Sequence, residues 1–515
     1  MMPKRNRNLP YLVLVPLMVA VVLLSTLAVE GLAGNAIMLL LLAGVVLLAV
    51  AVVWTRRDGL ASPVPIIALG LFVYFPFRGV VLLTSGLTNA QGINQRVLDA
   101  LTADGALAAS VDVLIVAAVF AVSCEALWHW RPRRPSRESP AEGRPENPGL
   151  QTWATVLLVV GVIGIILQLP AGLGWLQGDE ASGGLDWYLI YLASFGFGLG
   201  IILSGRAKGR LPAAIWVLLA VVGGLAFYMG SKDTLFQPLV ALLFAGAGLS
   251  KARHSKARAA FVGLAVAFLV FVFFPAVTTY RNEIFAGQSF GQALIGVPSE
   301  LVSKTVVESV PRTGGVPGYV EDSLLYLTNR LSGFDSLVLT ANAPRDLQIL
   351  TPQSLVFSPL GLVMPSGYWS SSVAQPGHYF GQQYWGSAAT SNVSIAITIF
   401  GEVHLAFGIV AVPIAALLLG ILTWLAARNF RANSRPARAL GYILMITVLG
   451  FEHDVLFLLI TTERRLALLA VVVGLAEIGR RRLLPAPWGM PQQAGGSVGR
   501  GNLTAASAQE SGRFR

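Results

Sequence analysis

Cysteine is nearly absent from this chain of 515 residues: the single Cys124 lies inside an apolar run. One thiol excludes an intrachain disulfide, a CxxC redox pair and a cysteine-rich metal site, and it leaves the redox compartment unread. Charge is also scarce, at 12% of residues, and histidine occurs only five times. Zinc-type spacings, HExxH, Walker A, GxGxxG and GxSxG arrangements are missing from any useful context. Hydrolysis by a metal or a nucleophile elbow, and nucleotide-driven transport, therefore have no support. No cofactor and no metal site is expected. Internal repeats, the usual mark of a secondary transporter, are not evident either.

What the chain has instead is apolar residues, 55% of the total, in blocks of about 20, the length at which a helix crosses the hydrocarbon core of a bilayer. The expected fold is all-α, a polytopic integral membrane protein of about twelve transmembrane helices with one large extracytoplasmic loop that contains short helices. The spans are placed at 10–29, 33–54, 62–83, 106–128, 152–170, 185–204, 211–229, 234–250, 259–279, 396–427, 439–460 and 466–479. "MMPKRNRN" and the apolar run behind it imitate a signal peptide, but the run has full span length and no small-residue cleavage site, so an uncleaved first helix is expected.

A pI near 10 would suggest nucleic acid in a soluble chain. Here 27 of the 37 Lys and Arg fall in the connections on the side of the two termini. The positive-inside rule makes that side cytoplasmic. The expected setting is thus a bacterial cytoplasmic (inner) membrane crossed many times, both termini cytoplasmic, the bilayer as partner and no nucleic acid. Residues 1–279 hold spans one to nine, 280–391 the loop and 392–484 the last three spans. The polar stretch 485–515 has no apolar periodicity and reads as a disordered cytoplasmic tail.

Within the loop, Leu324, Leu327, Leu331, Phe334 and Val338 recur at helical spacing, which predicts an amphipathic helix over 321–340 on the bundle or the membrane surface. The region 439–479 carries "GFEHD" in its middle, and a re-entrant or broken helix is the alternative to two spans there. Consecutive on a helix, Glu452, His453 and Asp454 would point about 100° apart and form no triad.

Ten basic residues lie outside the cytoplasmic connections: Arg78, Arg96, Lys232, Arg281, Lys304, Arg312, Arg330, Arg345, Arg464 and Arg465. Arg78 sits within "LFVYFPFRGVVLL", where a lipid-facing position would cost at least about 2.5 kcal/mol. It must face a cavity or partner, or else snorkel to the outer interface. Lys232, in the turn "GSKD", suits an anionic head group or simply a solvated turn. Arg281 and Arg330 carry the fork that grips two phosphate oxygens, with membrane-edge anchoring and pairing to Asp335 as their respective structural alternatives. His378, in "QPGHYFGQQYWG", has a side chain suited to a general base near neutral pH, or is an exposed loop histidine.

"TIFGEVHLAFGIVAV", residues 398–412, begins a span with two polar residues. On one helix Gly401, His404 and Gly408 share a face, while Glu402 is turned about 100° from Gly401. The glycines beside His404 permit close approach of another helix or leave a pocket. Glu402 also suits a helix N-terminus electrostatically.

Three stretches together resemble one family, the bacterial O-antigen (oligosaccharide repeat-unit) polymerases. "SNVSIAITIFGEVHLAFGIVAVPIAALLLGIL" is similar to that family's segment after its large periplasmic loop, "GSKDTL" to its Gly-Ser-Arg turn, and "YRNEIF" to the arginine that opens the loop. Lys232 stands where arginine is common, and His404 where an aromatic is expected. The resemblance implies metal-independent glycosyl transfer at the extracytoplasmic face, moving a glycan from undecaprenyl diphosphate onto a sugar hydroxyl of another lipid-linked unit. The product would be O-antigen or exopolysaccharide. It implies cations on the leaving diphosphate, drawn from Lys232, Arg281, Arg330, Arg78 and Arg465. It implies a base, His378 or Glu402, and a site shaped by Gly401, His404 and Gly408. The partners implied are the undecaprenyl diphosphate-linked oligosaccharide, a chain-length regulator and a flippase. An O-antigen ligase, with the same donor and another acceptor, and a lipid-linked oligosaccharide flippase or transporter remain the alternatives.

Overall fold

A computed structural model describes residues 32–58, 62–84, 95–101, 103–129, 155–164, 166, 195–203, 213–228, 237–242, 276, 333–350, 376–386, 397–430 and 435–483. Most of these residues are helical, with no strand among them. Four of the helical segments are long and apolar enough to cross a membrane: Gly34–Arg57, Pro63–Leu83, Asp104–His129 and Ala411–Phe430. The expected spans at 10–29 and 259–279, and the tail after residue 483, lie outside the described residues save for residue 276. The helices used below are α1 (Leu32–Asp58), α2 (Pro63–Phe72), α3 (Arg78–Thr84), α4 (Gln95–Ala100) and α5 (Ala103–His129). After them come α6 (Gly333–Ala341), α7 (Pro376–Phe380), α8 (Ile399–Phe407), α9 (Ala411–Phe430), α10 (Arg435–Leu449) and α11 (Val455–Leu483).

Met1–Ala470 form one compact unit and Val471–Arg515 a second. Of the second, only the last turns of α11 are described. In the first, α1, α5 and α9 carry the core. Leu40, Ala43, Leu47, Ala51 and Trp54 of α1 recur at three- and four-residue steps and are buried with Ala109, Val113, Val116, Ala117 and Phe120 of α5. The opposite stripe of α1, Leu41, Val45, Leu48 and Val52, is apolar and exposed. A helix apolar on both faces has no water-facing side, as expected where lipid replaces solvent. Small residues set the spacing: a Cβ on Gly420 of α9 would lie 2.7 Å from the Ser123 Cβ of α5. That approach is the small-residue packing that joins helices in lipid.

One end of α1 and α5 is pinned by Arg57, whose Nη1 and Nη2 donate to Glu125 at 2.5 and 3.0 Å. Its guanidinium lies 5.5 Å from the centre of the Trp128 ring, and Trp128 in turn meets Trp54 edge-on at 5.0 Å. The pairing joins the C-terminal ends of both helices. They therefore run in the same direction.

The structure redraws three boundaries. The span at 396–427 is two helices: α8 stops at Gly408, whose φ is +81° and whose N–H donates to the His404 carbonyl at 2.7 Å. Continuous apolarity hid this break. The pair expected at 439–460 and 466–479 is α10 and α11, with Gly450–Asp454 as the turn between them and "TTERR" inside α11. The amphipathic helix at 321–340 is described from Gly333 onward. Its residues 333–340 are all buried, so this part is inserted into the bundle and does not lie on a surface.

Candidate functional site at the loop end of the bundle

The polar residues that sequence scatters along the chain converge where α6 meets α3, α4, α5 and α8. The convergence starts at Pro76. Proline has no N–H to donate, and the chain widens into a π-helical turn over Val73–Phe77 between α2 and α3. Such bulges re-aim the residues that flank them. Here they turn Tyr74 and Arg78 to useful places.

Arg78 is 1% exposed. Its Nε donates to Asp335 Oδ1 at 2.9 Å and its Nη2 to Oδ2 at 2.8 Å. Burial pushes the Asp335 carboxyl above its ordinary range, and the guanidinium pulls it back down. The forked geometry favours the ionised pair. Asp335 stands in the first turn of α6, where a carboxylate also meets the positive end of the helix dipole. Gly333 completes the seat: a Cβ there would lie 3.0 Å from the Tyr74 carbonyl.

Behind α6, Thr398 caps α8. Its Oγ1 accepts from the Gly401 N–H at 3.1 Å and lies 3.5 Å from Ser336 Oγ of α6. Thr398 has φ +65° and ψ 149°, a region that a β-branched residue enters only under strain. The Ile399 N–H donates to the Phe451 carbonyl at 3.2 Å, so α8 begins against the α10–α11 turn.

Glu402 is fully buried, and its Oε2 accepts from the Val455 N–H at 2.5 Å. Val455 opens α11, whose first N–H groups have no partner within the helix. Glu402 stands in the first turn of its own helix, where a carboxylate suits the dipole as expected, and it also caps the N-terminus of α11. Its Oε1 has no hydrogen-bond partner among the described residues. Two residues on, His404 Nδ1 lies 2.6 Å from Asp112 Oδ2 of α5. Asp112 is fully buried and His404 retains 13% side-chain exposure.

The shared face of Gly401, His404 and Gly408 does not form, because α8 ends at Gly408. Gly408 is held by its positive φ and by Arg345, whose guanidinium would meet a Cβ at 2.9 Å. Gly401 has ordinary helical neighbours no closer than 3.4 Å. The "GFEHD" residues are in a turn, so the helical 100° argument does not apply to them. Glu452 accepts from the Tyr74 hydroxyl, and His453 Nε2 is 3.9 Å from Glu452.

A second cluster borders the first. The Asp346 N–H donates to the Leu405 carbonyl at 2.8 Å, and its Oδ2 accepts from the hydroxyls of Tyr379 and Tyr384 at 2.6 and 2.9 Å. Arg96 of α4 donates to the Gln383 carbonyl at 2.6 Å. The Tyr379 phenol is pushed up to about 12, by burial first and then by Asp346. Tyr384 rises for the same reasons, with Tyr379 adding to them.

Of the residues expected from sequence, Arg78, Glu402, His404, Gly401 and Gly408 are brought to this end. Arg465 is buried on α11, ten residues or about 15 Å along the helix from Val455. The backbone of His378 is in α7, but its side chain lies outside the described residues, as do Lys232, Arg281 and Arg330. Sequence reading missed Asp112, Asp335 as the partner of Arg78, and the Asp346–tyrosine cluster. Asp112 carried a signal, since a carboxylate in the middle of an apolar run is functional by default. Among the described residues, no three His, Cys, Asp or Glu side chains are grouped to hold a metal ion.

These observations define an all-helical protein with several helices apolar and long enough to cross a membrane. No family model, curated protein or solved structure matches the chain.

Proposed function

We propose that the chain is an oligosaccharide repeat-unit polymerase of the cytoplasmic membrane. It would transfer a growing glycan from undecaprenyl diphosphate to a hydroxyl of a second lipid-linked unit at the extracytoplasmic face, without a metal. The observation that supports this reading is the Arg78–Asp335 fork, which ties α6 to α3 near buried acids and a histidine. A transfer reaction between two lipid-linked substrates needs such a place: a loop to hold the glycan, set on helices that admit the lipid.

Breaking the bond to diphosphate leaves negative charge, which cations must stabilise while a base takes the acceptor proton. Lys232, Arg281 and Arg330 are the cations of this reading. Arg78 holds the loop, since its fork is engaged by Asp335, and Arg465 is set apart along α11. A chain-length regulator and a flippase are the proposed partners. The test is removal of the chain from its host, followed by profiling of surface glycan and lipid-linked intermediates. Accumulated single repeat units support a polymerase. Intact polymer left on its lipid carrier would make the chain a ligase, and units trapped at the cytoplasmic face would make it a flippase.

A further inference from the structure

Glu402 is committed to the first N–H of α11, so a carboxylate with a structural duty is a poor choice for a base. The neighbouring histidine has a different setting. Asp112 lies on α5 with both carboxylate oxygens buried, and among the described residues neither makes a well-aligned hydrogen bond. The group that faces it is His404, with Nδ1 2.6 Å from Oδ2. The N–H direction is bent from that oxygen, so the contact is a close approach rather than a linear bond. A buried carboxylate needs a compensating partner, and His404 supplies it.

The consequence for the imidazole is chemical. An ionised carboxylate only accepts, so it selects the tautomer with hydrogen on Nδ1 and leaves the lone pair on Nε2. Nδ1 is buried, while the side chain keeps 13% exposure. Nε2 has no hydrogen-bond partner among the described residues. An imidazole held at one nitrogen by a buried carboxylate, with the other nitrogen accessible, is built to accept a proton.

Resting on the polymerase reading, we infer that His404 is the general base of this chain and Asp112 its positioning residue. The acceptor hydroxyl oxygen forms a bond to the anomeric carbon of the donor as its proton passes to His404 Nε2. The bond from that carbon to the diphosphate oxygen breaks, and its electron pair leaves with undecaprenyl diphosphate. Asp112 stabilises the imidazolium, which then loses its proton to water. Other charged groups near the pair are Glu402, two residues away on α8 and directed at α11, and Arg345, over Gly408 at the end of α8.

The test uses the full chain in lipid nanodiscs with lipid-linked repeat units extracted from a host that lacks it, serving as both donor and acceptor. His404→Gln should lower kcat by about 100-fold or more with little change in KM. Asp112→Asn should lower kcat less and leave KM near wild type, and Asp112→Glu should recover part of the lost rate. The double variant Asp112→Leu/His404→Leu removes both polar groups and restores packing. A catalytic pair predicts that this variant is stable and inactive. Wild-type rates in H404Q, or in a stable double variant, would overturn the inference while leaving the polymerase reading in place. A wild-type chain that forms no polymer from these units would overturn both.

Discussion

Arg78 and Asp335 are 257 positions apart in the chain, yet they meet through two charge-assisted hydrogen bonds of 2.9 and 2.8 Å in a site closed to solvent. One residue belongs to α3 and the other to α6, so the pair is a buried polar link between these helices. Removing one partner strands the other charge, which costs about 3–5 kcal/mol. Arg78→Ala and Asp335→Ala should each lower the midpoint of thermal unfolding in detergent strongly. Arg78→Met combined with Asp335→Leu should recover most of the loss, since no charge is then left unpaired. Equal damage in the double and single variants would show that the ions themselves are required.

Two glycines seven positions apart, one in α8 and one just past its end, should respond in opposite ways. At Gly408, φ is +81° and the Arg345 guanidinium occupies the space of a Cβ, so Gly408→Ala should cost about 1–3 kcal/mol. At Gly401 the backbone is helical and the nearest atoms are 3.4 Å away. Gly401→Ala should be neutral or stabilise by about 0.5–1 kcal/mol through the better helix propensity of alanine. Unfolding midpoints of the two variants check this. A stable Gly401→Ala protein that has lost activity would show that substrate needs the missing methyl space.

The tyrosines on Asp346 give a dependence on alkaline pH. In an unfolded chain a phenol ionises near 10, and Tyr379 in the fold near 12. Between these values the unfolded state has released a proton that the folded state keeps. The contribution to stability is therefore unaffected below pH 10 and is lost as pH rises through that window. Asp346→Asn should bring the Tyr379 midpoint down, visible as tyrosinate absorbance appearing at lower pH. A Tyr379→Phe control identifies the signal among the twelve tyrosines of the chain.

Much of the helical scaffold was legible because lipid-facing helices are apolar all round and their length is set by the bilayer. The runs at 33–54 and 106–128 correspond to α1 and α5, with boundaries off by a few residues. The break at Gly408 was not legible, since a glycine between apolar residues occurs in unbroken spans as well. Arg78 declared by its burial cost that it needed a partner. Which of the seven acids in the loop would supply it depends on tertiary closure, which leaves no local pattern. The turn at Gly450–Asp454 was misplaced into a span because apolar residues flank it on both sides. Asp112 is a carboxylate in the middle of an apolar run, but its partner His404 lies on another helix far along the chain, so no local pattern joins the two.

Glu402 allows its two possible roles to be separated. As the cap of α11 it needs only an oxygen that accepts from the Val455 N–H, and glutamine provides one. As a proton acceptor it needs a carboxylate, which glutamine lacks. Glu402→Gln should keep both stability and transfer rate close to wild type. Glu402→Ala leaves that N–H without its acceptor and should cost about 0.5–2 kcal/mol, as loss of a helix cap does. Its effect on rate should follow the amount of folded protein. Unfolding midpoints and turnover measured on the same preparations decide the matter: a Glu402→Gln protein that is stable but slowed by about 100-fold would return the base to Glu402 and leave His404 and Asp112 a packing role.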